Sequence, residues 1–600
     1  MILKKQKYLL QLIFAGSQAL LVAIPSVESI LLMLSLMIGL TFLSFDKGQV
    51  PLPCKVYGFV AVIQVSCCIN YYWNWCVSSK VRLIAEVLNI PSATLVVVTA
   101  ILLALLGYLF QINLIKNFFS KENFNTDFNK YSLNVNDFRS WKHRLLFCVV
   151  CAFVSITICS ENSFLYPVNT WTDPHCFMTV GKAMMNGMVP YRDLLEQKGP
   201  VHYFVYGLAW LFSKNTYSGI YILEIVAASF FLYYTSVAVT LYKKGTEKPA
   251  ILLTAVLIYS SLSFRTGGTA EELCIPLLAY ALYLALSFLQ EHRELTGKDY
   301  IVIGLSAGLV FWIKFTFAGF YLGWILYFGS YYIRYRKVAT LQRMIKGLLL
   351  GFTLVTLPVL LYFGYHHALY DLVKVYFYDN IFLYTAFSNN PIFEALLHYG
   401  KGLGQLIRGN YTALLLISIG CFYENNRVLP FLFITLFATS FIGWRTWNYY
   451  ALIFAPFISV GLAVILDKIA VYSSQVSIKS LLAVLCLLCL IFTPNHRNLG
   501  KSKESTPQYQ FAKIIRENNE STLLNYGFLD GGFYWAADVL PNCKAFCKLM
   551  NPIEEMLQLQ EEYVRQGKCE FVVTRGQPLD VPLYKLVSQS GNYYLHRKIE

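Results

Sequence analysis

About fifteen long apolar runs follow one another along this sequence, and they constrain its fold more than any other feature. A helix needs about 20 mostly apolar residues to cross a bilayer. Of the 600 residues, 56% are hydrophobic and only 14% are charged, whereas soluble domains carry about 25% charged residues. The chain is therefore predicted to be a polytopic α-helical membrane protein. Its candidate spans are 8–24, 27–45, 56–75, 92–113, 144–160, 217–241, 250–265, 270–290, 299–314, 316–333, 345–365, 409–424, 428–444, 447–466 and 480–493.

The basic residues indicate how these spans are oriented. Clusters of Lys and Arg within 116–144, 243–248 and 334–346 fall on the same side of the alternating spans. Cytoplasmic loops of membrane proteins are enriched in Lys and Arg, so that side, with the N-terminus, is predicted to be cytoplasmic. The loops 161–216 and 366–408 are then external, as is the chain after residue 493.

The net charge of +15, from 49 basic and 34 acidic residues, is explained by these cytoplasmic loops. No basic stripe or recognition module that would indicate nucleic-acid binding is visible. Many of the fifteen cysteines lie within apolar runs, where cysteine behaves as a small hydrophobic residue. Cys543, Cys547 and Cys569 are compatible with either a disulfide or free thiols.

The composition changes near residue 495. Amphipathic helices are predicted over 507–519 and 553–566, and short strands over 523–528, 569–574 and 593–596. Helices that alternate with strands indicate a small α/β domain, which the orientation places outside. The predicted parts are N-terminal spans with a cytoplasmic linker (1–143), a transmembrane core with the external loops 161–216 and 366–408 (144–493), and the external α/β domain (494–600).

The first external loop concentrates charged residues in an otherwise apolar chain. Asp173 follows the span 144–160, and a segment rich in Gly and Pro continues to Pro200. A carboxylate at a membrane surface suits a general base that deprotonates an acceptor hydroxyl or amine. Asp173 before Pro174 also fits the start of a short helix, where Asp is a favoured capping residue. The residue pattern leaves both roles open.

Cationic side chains in and near this loop suit a sugar donor linked to a lipid phosphate. The departing phosphate is a stable anion, so it needs cations rather than an acid. Lys198 and Arg192 in the loop, and Arg265 in an Arg-Thr-Gly-Gly turn, are predicted to bind it.

Further polar residues accompany these cations. Tyr191, Asp193 and Glu196 are predicted to shape the loop, the two acids by pairing with its cations. Glu271 and Glu272 open the span 270–290 on the external side and add two candidate catalytic carboxylates.

The order of these motifs resembles a known family. An early Asp, then Gly187-Met-Val-Pro-Tyr-Arg-Asp193, then Glu196-Gln-Lys-Gly-Pro200, is similar to the membrane glycosyltransferases of the GT-C fold. The nearest likeness is to the protein O-mannosyltransferase and aminoarabinose transferase group, and it covers roughly 144–493. It implies a multi-span core, external catalytic loops and a polyprenyl-phosphate-linked sugar donor.

The resemblance also implies roles for single residues. Asp173 matches the catalytic carboxylate of the first loop, and Lys198 matches the lysine that contacts the donor phosphate. Glu271 or Glu272 matches the second acidic position. The sequence departs from the pattern at Gly199, where Pro is usual, and in having Asp-Pro where the family has paired acids.

Two later motifs match as well. Trp312-Ile-Lys314-Phe resembles the family's Thr-Lys motif, and Arg445 precedes Tyr449-Tyr450 as in the family's late motif. The resemblance makes both Lys314 and Arg445 candidates for binding the donor phosphate. Either side chain also fits the simpler role of reaching the lipid headgroups from a span end.

Together these observations predict an integral-membrane glycosyltransferase of a bacterial plasma (inner) membrane, with Asp173 as general base. Its predicted partners are a polyprenyl-phosphate sugar donor, a lipid, glycan or protein acceptor, and the bilayer. The residue pattern assigns no cofactor, and it leaves the need for a divalent metal open. Two alternatives remain open: an O-antigen polymerase or ligase, and a lipid-linked saccharide transporter or flippase, which would carry ionisable residues in span centres.

Overall fold

Every candidate span within the described residues forms helix in the computed structural model. The structure describes residues 140–214, 216–383, 391–423, 426–442, 445–469, 477–518, 521–549 and 554–599. The four predicted spans before residue 140, with most of the predicted segment 1–143, lie outside these ranges, as does part of the loop 366–408.

Most helices before the α/β part follow the apolar runs closely, because each run supplies a continuous apolar surface that only a helix can present without exposing backbone polar groups. In chain order the helices are α1 (Trp141–Cys159), α2 (Thr172–Met185), α3 (Pro200–Ser213), α4 (Ser218–Tyr242), α5 (Glu247–Tyr259), α6 (Ala270–Gln290), α7 (Gly297–Ile313), α8 (Gly319–Arg334), α9 (Val338–Tyr365), α10 (Pro391–Gly409), α11 (Tyr411–Phe422), α12 (Val428–Ser440), α13 (Ile458–Ile469) and α14 (Ile478–Phe492). Three of them, α2, α3 and α10, lie within the predicted loops.

Three shorter segments join these helices. Phe315–Ala318 and Asn448–Phe457 are 3-10 helices that lead into α8 and α13, and Leu372–Leu383 is a π-helix after α9. The span predicted over 447–466 is therefore continuous but changes its winding at residue 457.

Five helical stretches in the described part of the chain are long and apolar enough to cross a membrane: Trp141–Cys159, Ser218–Tyr242, Ala270–Gln290, Val338–Tyr365 and Asn448–Leu466. Three shorter apolar helices accompany them. In the 28-residue α9, side chains such as Leu349, Leu354 and Leu361 are exposed. An apolar helix face without a protein neighbour is what lipid contact requires. The chain is thus a helical membrane protein.

The C-terminal part forms the α/β unit that the sequence predicts. Strands β1 (Leu523–Asn525), β2 (Phe571–Arg575), β3 (Tyr584–Ser590) and β4 (Tyr593–Lys598) pair in the order β1-β2-β4-β3. β1 and β2 are parallel, and the other two pairs are antiparallel. The helices around the sheet are α15 (Pro507–Arg516), α16 (Phe533–Ala537) and α17 (Glu554–Arg565).

The sheet shares one hydrophobic core with α2 and α3, which lie within the loop 161–216. Phe177 of α2 and Tyr203 of α3 belong to the same buried cluster as Trp535 and Phe546. Apart from residues 491–493, the described chain forms a single compact unit. The α/β part is therefore packed directly on the helices that follow Asp173.

Polar contacts reinforce this junction. Thr179 Oγ1 donates to Asp530 Oδ2 at 2.5 Å, and Lys182 Nζ lies 2.6 Å from Asp538 Oδ1. Cys176 Sγ lies 3.8 Å from Cys547 Sγ, and both thiols are buried. Residues from one face of α2 thus meet residues more than 350 positions later in the chain.

Candidate active site

Asp173 occupies the first turn of α2, but it does not cap that helix. The capping position is Trp171, which makes no side-chain capping hydrogen bond, and Pro174 is the third helical residue. The first turn of a helix presents free N–H groups and a partial positive charge, both of which favour a carboxylate there. The local sequence therefore stabilises an anion at Asp173 without engaging its oxygens.

The carboxylate of Asp173 is half-buried and unpaired. Within the described part of the chain it accepts no hydrogen bond and has no cation within 4.0 Å. Burial raises the pKa of the Asp173 carboxyl above its ordinary value, and the positive charges of Lys198 and Arg265 oppose that shift. This is the environment of an accessible base flanked by cations.

Backbone contacts fix the position of Lys198. Its N–H donates to Glu196 Oε2 at 2.9 Å and to the Tyr203 hydroxyl at 2.8 Å, and its carbonyl accepts from the Tyr191 hydroxyl at 2.5 Å. The Tyr203 hydroxyl also donates to Glu196. Glu196 thus contacts the Lys198 backbone, whereas pairing with the ammonium was expected.

The ammonium of Lys198 is left available. Its Nζ lies 5.2 Å from the centre of the Phe177 ring and makes no ion pair with any residue in the described ranges. Burial alone would lower the pKa of Lys198, but the negative charges of Glu196 and Asp173 outweigh it and hold the pKa above its ordinary value. Lys198 is therefore a cation at neutral pH.

The surroundings of residue 199 explain why it is glycine and not the proline that the resemblance predicts. A Cβ at residue 199 would lie 1.9 Å from the carbonyl oxygen of Trp312. The Gly199 N–H also donates to the Ile313 carbonyl at 3.0 Å, a bond that Pro cannot make. The loop is thereby fastened to the end of α7, next to Lys314.

Arg265 approaches the site from the turn before α6. Its guanidinium carbon lies 4.4 Å from the centre of the Trp171 ring, and its backbone φ is +58°. A non-glycine residue rarely adopts that conformation unless its surroundings require it. The side chain is exposed, next to the residue that precedes α2.

Lys314 and Glu271 form a buried ion pair at the start of α6. Lys314 Nζ lies 2.7 Å from Glu271 Oε1 and 3.9 Å from the centre of the Tyr450 ring. Tyr449, the neighbouring residue, packs its ring edge-on against Trp171 at 4.9 Å. The late motif, residues 445–450, therefore lies beside Trp171, two residues before Asp173. Arg445 is half-buried and lies just before this segment.

Arg192 is engaged elsewhere. Its guanidinium donates to both oxygens of Asp193 at 2.8 Å and to the His366 carbonyl at 3.0 Å. This hydrogen bonding lowers the pKa of Asp193. The expected Arg192–Asp193 pair is present. The Arg192 guanidinium also joins the loop to the end of α9, and these contacts use N–H groups that phosphate binding would require.

Glu272 is buried and forms a capping box with Thr269 at the start of α6. Thr269 N donates to Glu272 Oε1 at 2.8 Å, and Glu272 N donates to Thr269 Oγ1 at 3.2 Å. Its neighbour across the helices is Glu224 of α4, which the sequence analysis overlooked. A single Glu within a long apolar helix was the available signal, because such residues are usually functional.

Within the ranges that the structure describes, no group of three or more His, Cys, Asp or Glu residues is arranged to hold a metal ion. His175 Nε2 contacts the Asn169 carbonyl at 2.7 Å, and burial lowers the pKa of His175. Asp173, with Lys198 and Arg265 near it, can accept a proton and hold an anion without further groups.

Comparison with known proteins identifies the fold that holds these residues. No family model matches the chain, and no curated protein matches it. Among solved structures, the chain is similar to ArnT from Cupriavidus metallidurans in the apo state, with 12% identity and a TM-score of 0.50. That match covers 76% of this chain and 97% of ArnT. A second structure, the same ArnT bound to undecaprenyl phosphate, covers the same shares with 10% identity and a TM-score of 0.46. The fold is thus that of ArnT, which confirms the GT-C fold predicted from the first-loop motifs.

Proposed function

We propose that the protein is an integral-membrane glycosyltransferase that takes a sugar from a polyprenyl-phosphate donor. The observation that carries this proposal is the unpaired Asp173 carboxylate in a helix's first turn, with the available cation Lys198 and the exposed Arg265 near it. A lipid-linked donor also gives a physical reason for embedding a transferase in a bilayer. The ArnT fold supports this class of enzyme without identifying the substrates.

The proposed reaction is a single displacement. An acceptor hydroxyl or amine loses its proton to Asp173 while its oxygen or nitrogen forms a bond to the anomeric carbon of the sugar. The bond from that carbon to the phosphate oxygen breaks, and the electron pair leaves with polyprenyl phosphate. Lys198 and Arg265 stabilise the charge that develops on the phosphate.

Three other residues receive supporting roles. Lys314 is proposed to line the phosphate site, because Glu271 already neutralises the charge of its ammonium. Glu271 accordingly holds Lys314 and does not act as a second base. Arg445, beside the Tyr449–Tyr450 wall, is proposed as a further phosphate contact.

The finer features of the architecture belong to this proposal. The apolar runs favour about fifteen spans, and the distribution of Lys and Arg favours a cytoplasmic N-terminus with the loops 161–216 and 366–408 external. The proposed location is a bacterial plasma membrane. The α/β part packs on α2 and α3 and would share their external side. The acceptor is a lipid, a glycan or a protein.

The test is transfer of radiolabelled sugar from polyprenyl-phosphate donors in membranes that contain wild type, Asp173→Asn or Lys198→Ala. Loss of a general base is expected to lower transfer by roughly 10²–10⁴-fold, and loss of one charged donor by about 10²-fold or more. Asp580→Asn and Lys585→Ala, which change exposed residues of the α/β part, are the matched controls. Full transfer by Asp173→Asn at equal protein level would refute the assigned base.

A further inference from the structure

Glu224 is a buried carboxyl in a membrane helix that the proposed reaction does not use. It lies in α4 and is 4% exposed. Placing an ionisable side chain in a membrane helix is costly, so its partners indicate what it does. These partners come from the end of α1, the segment that follows it and the turn before α6.

The two oxygens of Glu224 join the end of α1 to the turn before α6. Oε2 accepts from Ser160 Oγ at 2.7 Å, and Oε1 accepts from Asn162 Nδ2 at 2.9 Å and from the Gly268 N–H at 2.7 Å. A backbone N–H of the Arg-Thr-Gly-Gly turn is thus tied directly to the carboxyl.

The turn itself closes onto Glu224. Gly267 has a φ of +80°, and a Cβ there would lie 2.4 Å from Glu224 Oε1 and 2.4 Å from Ser160 Oγ. Only glycine fits both the conformation and the space. Arg265 stands two residues earlier in the same turn, with its guanidinium carbon 4.4 Å from the centre of the Trp171 ring.

A second branch of the network reaches the start of α2. Asn162 Oδ1 accepts from Asn169 Nδ2 at 3.0 Å, and Asn169 Oδ1 accepts from the Trp171 N–H at 2.9 Å. Asn169 Nδ2 is also 3.3 Å from the Thr266 carbonyl. The backbone just before Asp173 and the turn that carries Arg265 therefore share one buried scaffold.

Glu272 completes this scaffold. Glu272 Oε2 is buried and has no hydrogen-bond partner among the described residues. The Glu224 and Glu272 carboxyls accept from consecutive N–H groups of the turn, those of Gly268 and Thr269, so a bond between the two carboxyls would give Glu272 Oε2 the partner it lacks. Two carboxyls can make such a bond only when one of them carries a proton, because neither carboxylate form is a donor.

We propose that Glu224 is a positioning residue that sets Arg265 against the start of α2, and that it shares one proton with Glu272. The inference rests on the proposed function, since it takes Arg265 as a donor-phosphate contact. In this role Glu224 needs its length and its hydrogen bonds, and it does not need a negative charge. A glutamine retains both oxygen-accepted bonds at Oε1 and supplies an N–H in place of the shared proton.

The test measures binding of farnesyl phosphate to the purified full-length protein by quenching of tryptophan fluorescence. Glu224→Ala is expected to raise the Kd by about tenfold, the effect of misplacing one charged hydrogen bond, whereas Glu224→Gln stays within about threefold of wild type. Thr235→Val, a buried change in the same helix, is the control and should leave the Kd unchanged.

Glu224→Asp keeps the experiment decisive if the alanine variant does not fold. The shorter carboxylate retains the charge but cannot span the same distances, so it is expected to bind more weakly than Glu224→Gln. The reverse order, or unchanged binding by Glu224→Ala, would overturn the positioning role. If wild type binds farnesyl phosphate but transfers no sugar, the proposed function is refuted. The order of the Kd values of the variants then still tests the positioning role of Glu224.

Discussion

Lys314 Nζ lies 2.7 Å from Glu271 Oε1, with the two side chains 11% and 1% exposed. The aromatic rings of Phe317 and Tyr450 lie 4.5 and 3.9 Å from the same ammonium. The pair joins the end of α7 to the start of α6, so it fixes one wall of the site.

Removing one partner of this pair is expected to be more damaging than removing both charges. Lys314→Met leaves a buried carboxylate uncompensated, which costs about 3–5 kcal/mol of unfolding free energy. Glu271→Gln combined with Lys314→Met leaves no net buried charge and should recover part of that loss. The midpoint of thermal unfolding in detergent measures both. A double variant less stable than Lys314→Met would contradict this account.

The pH dependence of transfer should depend on Lys198. Asp173 must be ionised to act as a base, so kcat/KM is expected to fall as the pH drops through its pKa, which burial raises. Lys198 lowers that pKa, and Lys198→Gln removes the lowering. The acidic limb of the profile should then move to higher pH in the residual activity of the variant. A limb that stays in place or moves to lower pH would count against the assignment of Asp173.

Gly199 should tolerate no side chain. The Cβ of Gly199→Ala would meet the Trp312 carbonyl at 1.9 Å, so the loop must leave α7 and carry Lys198 with it. We expect loss of transfer and a lower unfolding midpoint, with Gly199→Pro at least as severe because it also loses the bond to Ile313. Gly400→Ala is the matched control, since a Cβ there meets nothing within 4 Å. Normal activity of Gly199→Ala would show that this contact is dispensable.

Asp530 should control how firmly the α/β part is attached. It accepts from Thr179 Oγ1, Asn525 Nδ2 and the Gly532 N–H, and burial raises its pKa. Asp530→Ala leaves these donors without an acceptor, at a cost of roughly 1–3 kcal/mol for each one left buried. Limited proteolysis should then cleave near residue 500 faster than in wild type. An exposed substitution such as Asp580→Asn should leave the cleavage rate unchanged.

The sequence predicted the helices better than the contacts between them. Apolar runs such as 270–290 coincide with helices because span length and hydrophobicity are local properties. Asp173 and Lys198 could be assigned to one site from the sequence because the same loop, 161–216, carries both. The strand Tyr584–Ser590 was missed because it has one neighbour in the sheet and mostly exposed side chains.

Other features of the site depend on distant parts of the chain. Arg192 was predicted to bind phosphate, but its donors contact Asp193 and the carbonyl of His366, 174 residues later. Glu224 stands out in the sequence as the single Glu of an apolar helix, but the sequence does not show which residues its carboxyl contacts. Its role follows only from the turn at Gly267–Gly268, which folds back from another helix.

The contact between Thr179 and Asp530 spans 351 residues. A ribosome therefore completes the helix that bears Asp173 long before it makes the strand and turn that cover the other face of that helix. During this interval the apolar side of α2 lacks the C-terminal residues that bury it in the finished fold. A chain that ends before Asp530 would leave this surface of α2 uncovered.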